Sequence, residues 1–397
     1  RAHHAEIGGA RPGSMPPSAT TLLEEGVVIP PMKIVDAGTA RIDVLEELLR
    51  EGPWPSRCVE DNLADVRAAI AANHAGAHAL QALARSEGCD RVREAMKLLQ
   101  AHAAELARAA IRSLPDGRRS AETTMDGGSL LAVSVDIEGE HARFDFNGTS
   151  GVHPGNLNAT EAIVRSVVLY VMRLLIGRRV PLNDGILDAI ELVVPRGMLN
   201  PDWVEDPAKC PAVVGGNVET SQRLVNLLLG AMERSAASQG TMNNILFGQE
   251  AFGYYETLGG GHGGMEESPG ASGRHSHMSN TRITDPEILE HRYPVRLHRF
   301  AMRTGSGGGG KHPGGEGLER ELEFLEPVSL SILSQHRLQG PAGAAGGEAG
   351  QPGAQFITRA AGEVEKLHAC DERELERGDR LTIHTPGGGG WGVAPSS

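Results

Sequence analysis

Glycine constrains the fold of this chain more than any other feature. It supplies 52 of the 397 residues, and much of it comes in runs. The clearest are Gly259-Gly260-Gly261-His262-Gly263-Gly264, Gly305-Ser306-Gly307-Gly308-Gly309-Gly310 and Gly387-Gly388-Gly389-Gly390, the last ending on Trp391. Such runs make poor helix or strand interiors, because glycine costs backbone entropy and has no side chain to pack. They do allow one backbone to approach another closely. Aromatic residues are only 4% of the chain, so loops dominated by main chain are expected to be prominent. The run beside Trp391 has no charge and is read as packing, not as a site. Residues 305–312 nearly fit the phosphate-cradling pattern GxxxxGK[ST]. His312 stands where a hydroxyl would hold Mg²⁺, and Pro313-Gly314-Gly315 follows where a helix must start, so a nucleotide loop is excluded.

Between the glycine runs the apolar period changes along the chain. Residues 7–38 are rich in Gly and Pro and read as an irregular segment that packs through Met15, Leu22, Leu23 and Val27. Residues 40–113 carry apolar residues at helical spacing and read as three helices, ended by Pro115-Asp116-Gly117. Residues 120–147 alternate with period two and read as a β-hairpin. Asn158 is expected to cap a helix reaching about 176, and Ile190 begins a strand. Short strands separated by Gly/Pro loops follow from 293 onward. The fold class expected is α+β. Its parts are a loop-rich segment (1–39), a helical bundle (40–117), a central mixed α/β catalytic region (118–304) and a β-rich C-terminal domain (305–397).

Net charge is −13, which disfavours a nucleic-acid binder needing a basic face. Four scattered cysteines lack CxxC spacing and are expected to be reduced. No apolar run reaches transmembrane length. A cytoplasmic protein is expected, without membrane or nucleic-acid partners.

Three groups of residues carry chemistry. Arg1-Ala2-His3-His4-Ala5-Glu6 places imidazoles and a carboxylate together, the usual ligands of a divalent metal, and Glu24-Glu25 follows. As the chain starts on Arg1, the cluster is read as an interior motif exposed by truncation. Gly215-Gly216-Asn217 is read as a turn into a helix capped by Asn217. Free N–H groups there could hold an anion, although a tight turn is the plainer reading. Glu256, His262, His275 and His277 form a second metal-competent or catalytic group, with His275 and His277 on one face of a strand; a structural role weighs equally. His74 and His78, four apart on a helix, read as a solvated pair.

Taken together, these stretches resemble the hydantoinase B/oxoprolinase family. The resemblance is carried in order by residues 1–9, Gly13-Ser14-Met15-Pro16-Pro17, Glu24-Glu25-Gly26, 145–158, 214–223, 238–244, 254–261, 275–281, 305–310 and 385–392. It implies a B-type subunit of an ATP-dependent cyclic-amide hydrolase. A hydantoinase A-type partner would bind ATP and phosphorylate the substrate, so a hetero-oligomer is implied. Alternatives are an acetone-carboxylase-like subunit or a non-catalytic scaffold. The resemblance also implies a divalent metal (Mn, Zn or Fe) on His3 and Glu6, with Glu25 carried over more loosely. Glu256, His275 or His277 would then act as base, and Gly215, Gly216 and Asn217 would face developing negative charge.

Overall fold

A computed structural model describes residues 6–394 of the chain. Helices and strands are mixed, as expected for α+β, and the strands form three main sheets. The N-terminal segment is irregular but packed: Met15 is 1% exposed and joins the largest core cluster. A small hairpin, β1 (Val35–Asp36) and β2 (Thr39–Ala40), leads into α1 (Ile42–Arg50). Leu45 and Leu49 of α1 pack on Val59 and Leu63 at the start of α2 (Val59–Glu87). After the sharp turn at Gly88 comes α3 (Cys89–Arg112). Its C-terminal half buries Ala103, Ala107 and Ile111 in the main core. His74, His78 and His102 are all exposed on these helices.

The first sheet has the order β3 (Gly117–Thr124), β4 (Leu130–Glu138), β5 (His141–Asp145), β6 (Ile190–Val193), with only the last pair parallel. The hairpin expected over 120–147 is the β4–β5 pair, extended by β3. The inward positions Leu131, Val133, Val135 and Ile137 follow period two. They meet the apolar faces of α4 (Glu161–Ile176) and α5 (Ser221–Ala231). Asn158 does not cap α4. Thr160 takes that position, and the Asn158 amide is spent on the carbonyls of His153, Gly155 and Ala212.

The remaining strands are β7 (Asn244–Gln249), β8 (Phe252–Glu256), β9 (Val295–Arg303), β10 (Gly317–Phe324), β11 (Val328–Leu333), β12 (Ala354–Thr358), β13 (Val364–Lys366), β14 (Cys370–Leu375) and β15 (Arg380–His384), with α6 (Pro286–Arg292) before β9. They make two antiparallel sheets, β14-β11-β7-β8 and β13-β12-β15-β10-β9. Both contribute to one core built on Phe247, Phe324, Leu330 and Ile383.

The glycine runs assemble into a layer of their own. Residues 387–390 run buried through its centre, outside any strand. Their four N–H groups reach three separate segments: Gln351 O at 3.2 Å and Glu348 O at 2.8 Å in one loop, Gly315 O at 2.9 Å and Ala237 O at 2.9 Å. In return, the Gly388, Gly389 and Gly390 carbonyls accept from Gly308, Gly264 and Ala344. This satisfies buried backbone groups without a sheet. It leaves no room for side chains. A Cβ on Gly388 would lie 1.8 Å from His262 O, and one on Gly389 2.1 Å from Ala342 O.

Candidate active site

The helix that ends in α5 begins irregularly. Residues Gly216–Thr220 form one turn of π-helix before α5 takes over, a local feature often retained at functional sites. Asn217 lies inside that turn, exposed, with its carbonyl accepting from the Ser221 hydroxyl. It is not the cap expected from the sequence. The Gly215 and Gly216 N–H groups are not open donors either: they bond the carbonyls of Asn156 and Val213, both at 2.9 Å. A Cβ on Gly216 would meet Asn158 O at 2.1 Å, so these glycines serve backbone packing.

The extra π residue turns Glu219, Gln222, Arg223 and Asn226 into the protein interior. Glu219 is 0% exposed. Its Oε1 accepts from Met242 N–H at 3.0 Å and the Asn244 amide at 2.7 Å. Burial pushes its carboxyl up to about 8, against hydrogen bonds and the opposing charge of Arg337. Glu219 Oε2, Gln222 Oε1, Gln239 Nε2 and Ser276 Oγ are buried polar atoms with no hydrogen-bond partner. Gln222 donates to Ser276 O, and Gln239 accepts from Asn243 in a separate hydrogen-bonded network.

Two buried arginines border these groups. The Arg223 guanidinium donates to Thr123 Oγ1 and Thr124 O, both at 2.7 Å, and meets His336 Nε2. His336 Nδ1 lies 2.7 Å from Gln339 O. A carbonyl only accepts, so Nδ1 carries the proton and Nε2 is free to accept from Arg223. Arg337 donates to Asn243 Oδ1 at 2.8 Å, Gln355 Oε1 at 2.9 Å and Gln335 O at 2.7 Å. Burial lowers both guanidinium pKa values to about 10. Among the described residues neither guanidinium has a carboxylate within 4.0 Å. Asp126 and Glu219 act on the two guanidinium groups only at longer range, and Asp126 accepts the Arg337 backbone N–H at 2.7 Å. A buried cation without an anion is costly, and an anionic ligand removes that cost. Asn243 and His336 also hold positive φ, 48° and 57°, the kind of local strain that gathers at functional sites.

Each arginine opens onto a cavity. The first, about 570 Å³, is lined by Thr123, Asp126, Arg223, Asn226 and His336. The second, about 630 Å³, is lined by Asp126, His153, Asn156, Arg337, Lys366 and His368. They share Asp126 and Leu338. His153 Nδ1 accepts from Gly155 N–H at 2.9 Å, so a neutral ring carries its proton on Nε2. Cys370 also lines the second cavity, but burial pushes its thiol up to about 12, so it is no thiolate nucleophile.

The groups singled out in the sequence lie elsewhere. His3 and His4 fall outside the described residues. Glu6 pairs with Arg57 Nη1 at 2.8 Å and accepts Arg57 N–H at 2.7 Å. Glu25 accepts Val213 and Val214 N–H at 2.9 and 2.8 Å, and burial pushes it up to about 7. Among the described residues no three His, Cys, Asp or Glu side chains converge as metal ligands. A guanidinium on Glu6 and two backbone N–H groups on Glu25 do not by themselves fit a dication, and no step below passes through one.

His275 and His277 are not on a strand. They sit in a loop, with His277 at φ 53°. Their rings diverge. His275 faces Ser279 Oγ at 2.9 Å, whereas His277 Nε2 reaches Asn226 Oδ1 at 2.9 Å, with burial lowering its pKa to about 3. Glu256 makes a buried ion pair with Arg320 at 2.8 Å, the two side chains 3% and 2% exposed. Glu256→Gln should therefore lower the unfolding free energy by about 3–5 kcal/mol, read by urea denaturation; a loss below about 1 kcal/mol would show the pair to be dispensable.

Glu219 gives a pH signature. Its folded pKa is raised, so the native chain keeps a proton that the unfolded chain releases between about 4.5 and about 8. Its contribution to stability is complete below that window and is lost as pH rises through it. Glu219→Gln should gain on wild type from pH 5 to 8, at up to about 1.4 kcal/mol per pH unit. Urea melts at each pH measure this; a pH-independent difference contradicts it.

Glu219, Arg223, Asp126 and Arg337 were not singled out from the sequence. One signal was present: the polar stretch 238–244 runs directly into apolar Ile245-Leu246-Phe247, so its polar side chains had to be buried.

The family model for hydantoinase B/oxoprolinase matches residues 1–394. The chain is 42% identical to 5-oxoprolinase 1 of Arabidopsis thaliana, over 99% of this chain and 32% of that protein. It spans about a third of the length of the curated relatives it matches first. In fold it is similar to the ATP-dependent caprolactamase of Pseudomonas jessenii, with TM-score 0.81 and 24% identity over 98% of this chain and 71% of that one. It is also similar to acetone carboxylase, with TM-score 0.82 and 17% identity over 98% and 60%.

Proposed function

Because the chain belongs to the hydantoinase B/oxoprolinase family, we propose that it is the ring-opening component of an ATP-dependent cyclic-amide hydrolase of the 5-oxoprolinase type. The observation that carries the site assignment is the pair of buried arginines, without carboxylate partners, opening onto two adjoining cavities. An A-type partner would bind ATP and phosphorylate the amide oxygen, in the cytoplasm where ATP is at hand. The resulting O-phosphorylated lactam is an anion. Arg337 and Lys366 would hold its phosphate in the second cavity, and Arg223 a further anionic group in the first.

Water adds to the activated carbon. One proton of that water passes to nitrogen on addition and the second as the C–N bond breaks, leaving the free amine and an acyl phosphate, while the His153 Nε2–H donates a hydrogen bond to the phosphate. A second water converts that into the acid and phosphate. Glu219 does not line either cavity. Through Met242 and Asn244 it fixes Asn243, which holds Arg337, so it is a positioning residue. The divalent metal implied by the resemblance rests on His3. Metal analysis of wild type and His3→Ala tests that ligand, and equal content in both removes it.

Reconstitution with an A-type partner tests the function. ATP-dependent release of acid and phosphate from 5-oxoproline or a hydantoin, absent when either component is omitted, is the expected result. Turnover of acetone with bicarbonate instead would place the chain on the carboxylase branch. Turnover by the partner alone would leave this chain a scaffold.

A further inference from the structure

Ring opening moves two protons from water to the ring nitrogen. Water, with a pKa of about 15.7, does not give up the first unaided. A base must therefore stand within hydrogen-bond reach of the attacked carbon. Most groups lining the two cavities are unsuited to that work. His336 Nδ1 carries a proton and its Nε2 is taken by Arg223. His153 accepts from Gly155 through Nδ1, which leaves a proton on Nε2. Burial keeps the Cys370 thiol protonated. His368 is exposed, and among the described residues no hydrogen bond orients its ring. Glu122 is exposed and lines the first cavity alone.

Asp126 differs from all of these. It stands in the turn between β3 and β4, half-buried, and lines both cavities. Its backbone N–H donates to the buried Gln335 Oε1 at 2.8 Å, and its Oδ2 accepts Arg337 N–H at 2.7 Å. These two bonds tie the turn to the segment that carries Arg337. Asp126 Oδ1 takes part in no hydrogen bond among the described residues. One oxygen is thus anchored and the other is free to accept. The carboxylate and the phosphate-binding guanidinium are both fixed to residue 337, one through its main chain and the other as its side chain. The free oxygen is thereby set beside the place where the carbon bearing the phosphate would lie.

We propose that Asp126 is the general base of ring opening, which rests on the function proposed above. Its carboxylate takes a proton from water as the new C–O bond forms. The C=N electron pair moves to nitrogen, and Asp126 passes that proton to it. Asp126 then takes the proton of the new hydroxyl, whose oxygen becomes the carbonyl of the acyl phosphate. The C–N electron pair leaves with nitrogen, which receives this second proton. Asp126 ends as the carboxylate it began as.

The test uses the complex reconstituted with the A-type partner, ATP and 5-oxoproline. Asp126→Asn keeps an oxygen for Arg337 N–H and should lower kcat at least ~10²-fold, with KM little changed. A stoichiometric burst of ADP should still form, because phosphorylation precedes the step that needs the base. Asp126→Ala should regain turnover in proportion to added formate, a small carboxylate that fits the vacated space. Asp126→Asn within about fivefold of wild type overturns the assignment and leaves the ring-opening reading standing. So does an Asp126→Ala complex that formate does not restore, or an Asp126→Asn complex that also loses the ADP burst. A wild-type complex that yields no acid from ATP and lactam removes that reading and this assignment together.

Discussion

Gly389→Ala is expected to cost more than about 3 kcal/mol, the upper end of what added core volume usually costs, and to leave little folded protein. The new Cβ would stand 2.1 Å from Ala342 O and 2.6 Å from Ala342 C. These are backbone atoms, so no side-chain rotamer can swing away. Ala342 is itself fixed, because its carbonyl accepts from Ala237 N–H at 2.9 Å. Gly388→Ala meets the carbonyl of His262 at 1.8 Å, and His262 in turn is bonded through Gly315 and Ala271. Neither position has positive φ, so the penalty is one of space and not of backbone conformation. Gly76→Ala is the control. It lies mid-α2 with nothing within 4 Å of a new Cβ, and should gain about 0.8–1 kcal/mol from helix propensity. Urea denaturation reads all three. A Gly389→Ala protein within about 0.5 kcal/mol of wild type would show that the layer is looser than described.

Arg337→Met should lower kcat/KM for ring opening at least ~10²-fold in the reconstituted complex, the usual effect of losing one strong donor to developing charge. Methionine keeps an unbranched apolar stem and removes the guanidinium. Asn243 Oδ1, Gln355 Oε1 and Gln335 O each lose a donor, so a stability loss of about 1–3 kcal/mol per group left unpaired accompanies it. Stability alone does not explain the activity loss if the variant is assayed well below its melting temperature. Arg337→Lys separates the two effects. It restores a positive charge without the planar fork, so part of the rate should return.

The helices and the main hairpin were legible because burial on one face writes a period into the sequence. Leu45 and Leu49 of α1 carry it, as do Leu131, Val133 and Val135 of β4. The packed glycine run at 387–390 was legible too, since a run with no side chains has few other uses. The proposed reaction centre was not. Glu219 and Arg223 sit in a sequence that scans as an ordinary helix start. Their meaning comes from one π-helical turn and from segments around 126, 243 and 337 that are distant in sequence. His275 and His277 show the converse. Alternate spacing suggested convergence, but a left-handed residue at 277 sends the two rings to different partners. At Glu6 the cluster of ligand-type residues concealed Arg57, which lies 51 positions away and takes the carboxylate.

The central claim is that chemistry occurs beside α5, between Arg223 and Arg337, and not at the histidine loop. The most direct measurement compares kcat/KM for ATP-dependent ring opening by Arg337→Met and His275→Ala in the same reconstituted complex. The expected result is a loss of at least ~10²-fold for Arg337→Met and less than about fivefold, roughly 1 kcal/mol, for His275→Ala. The reverse order, with Arg337→Met near wild type and His275→Ala inactive, would contradict the claim.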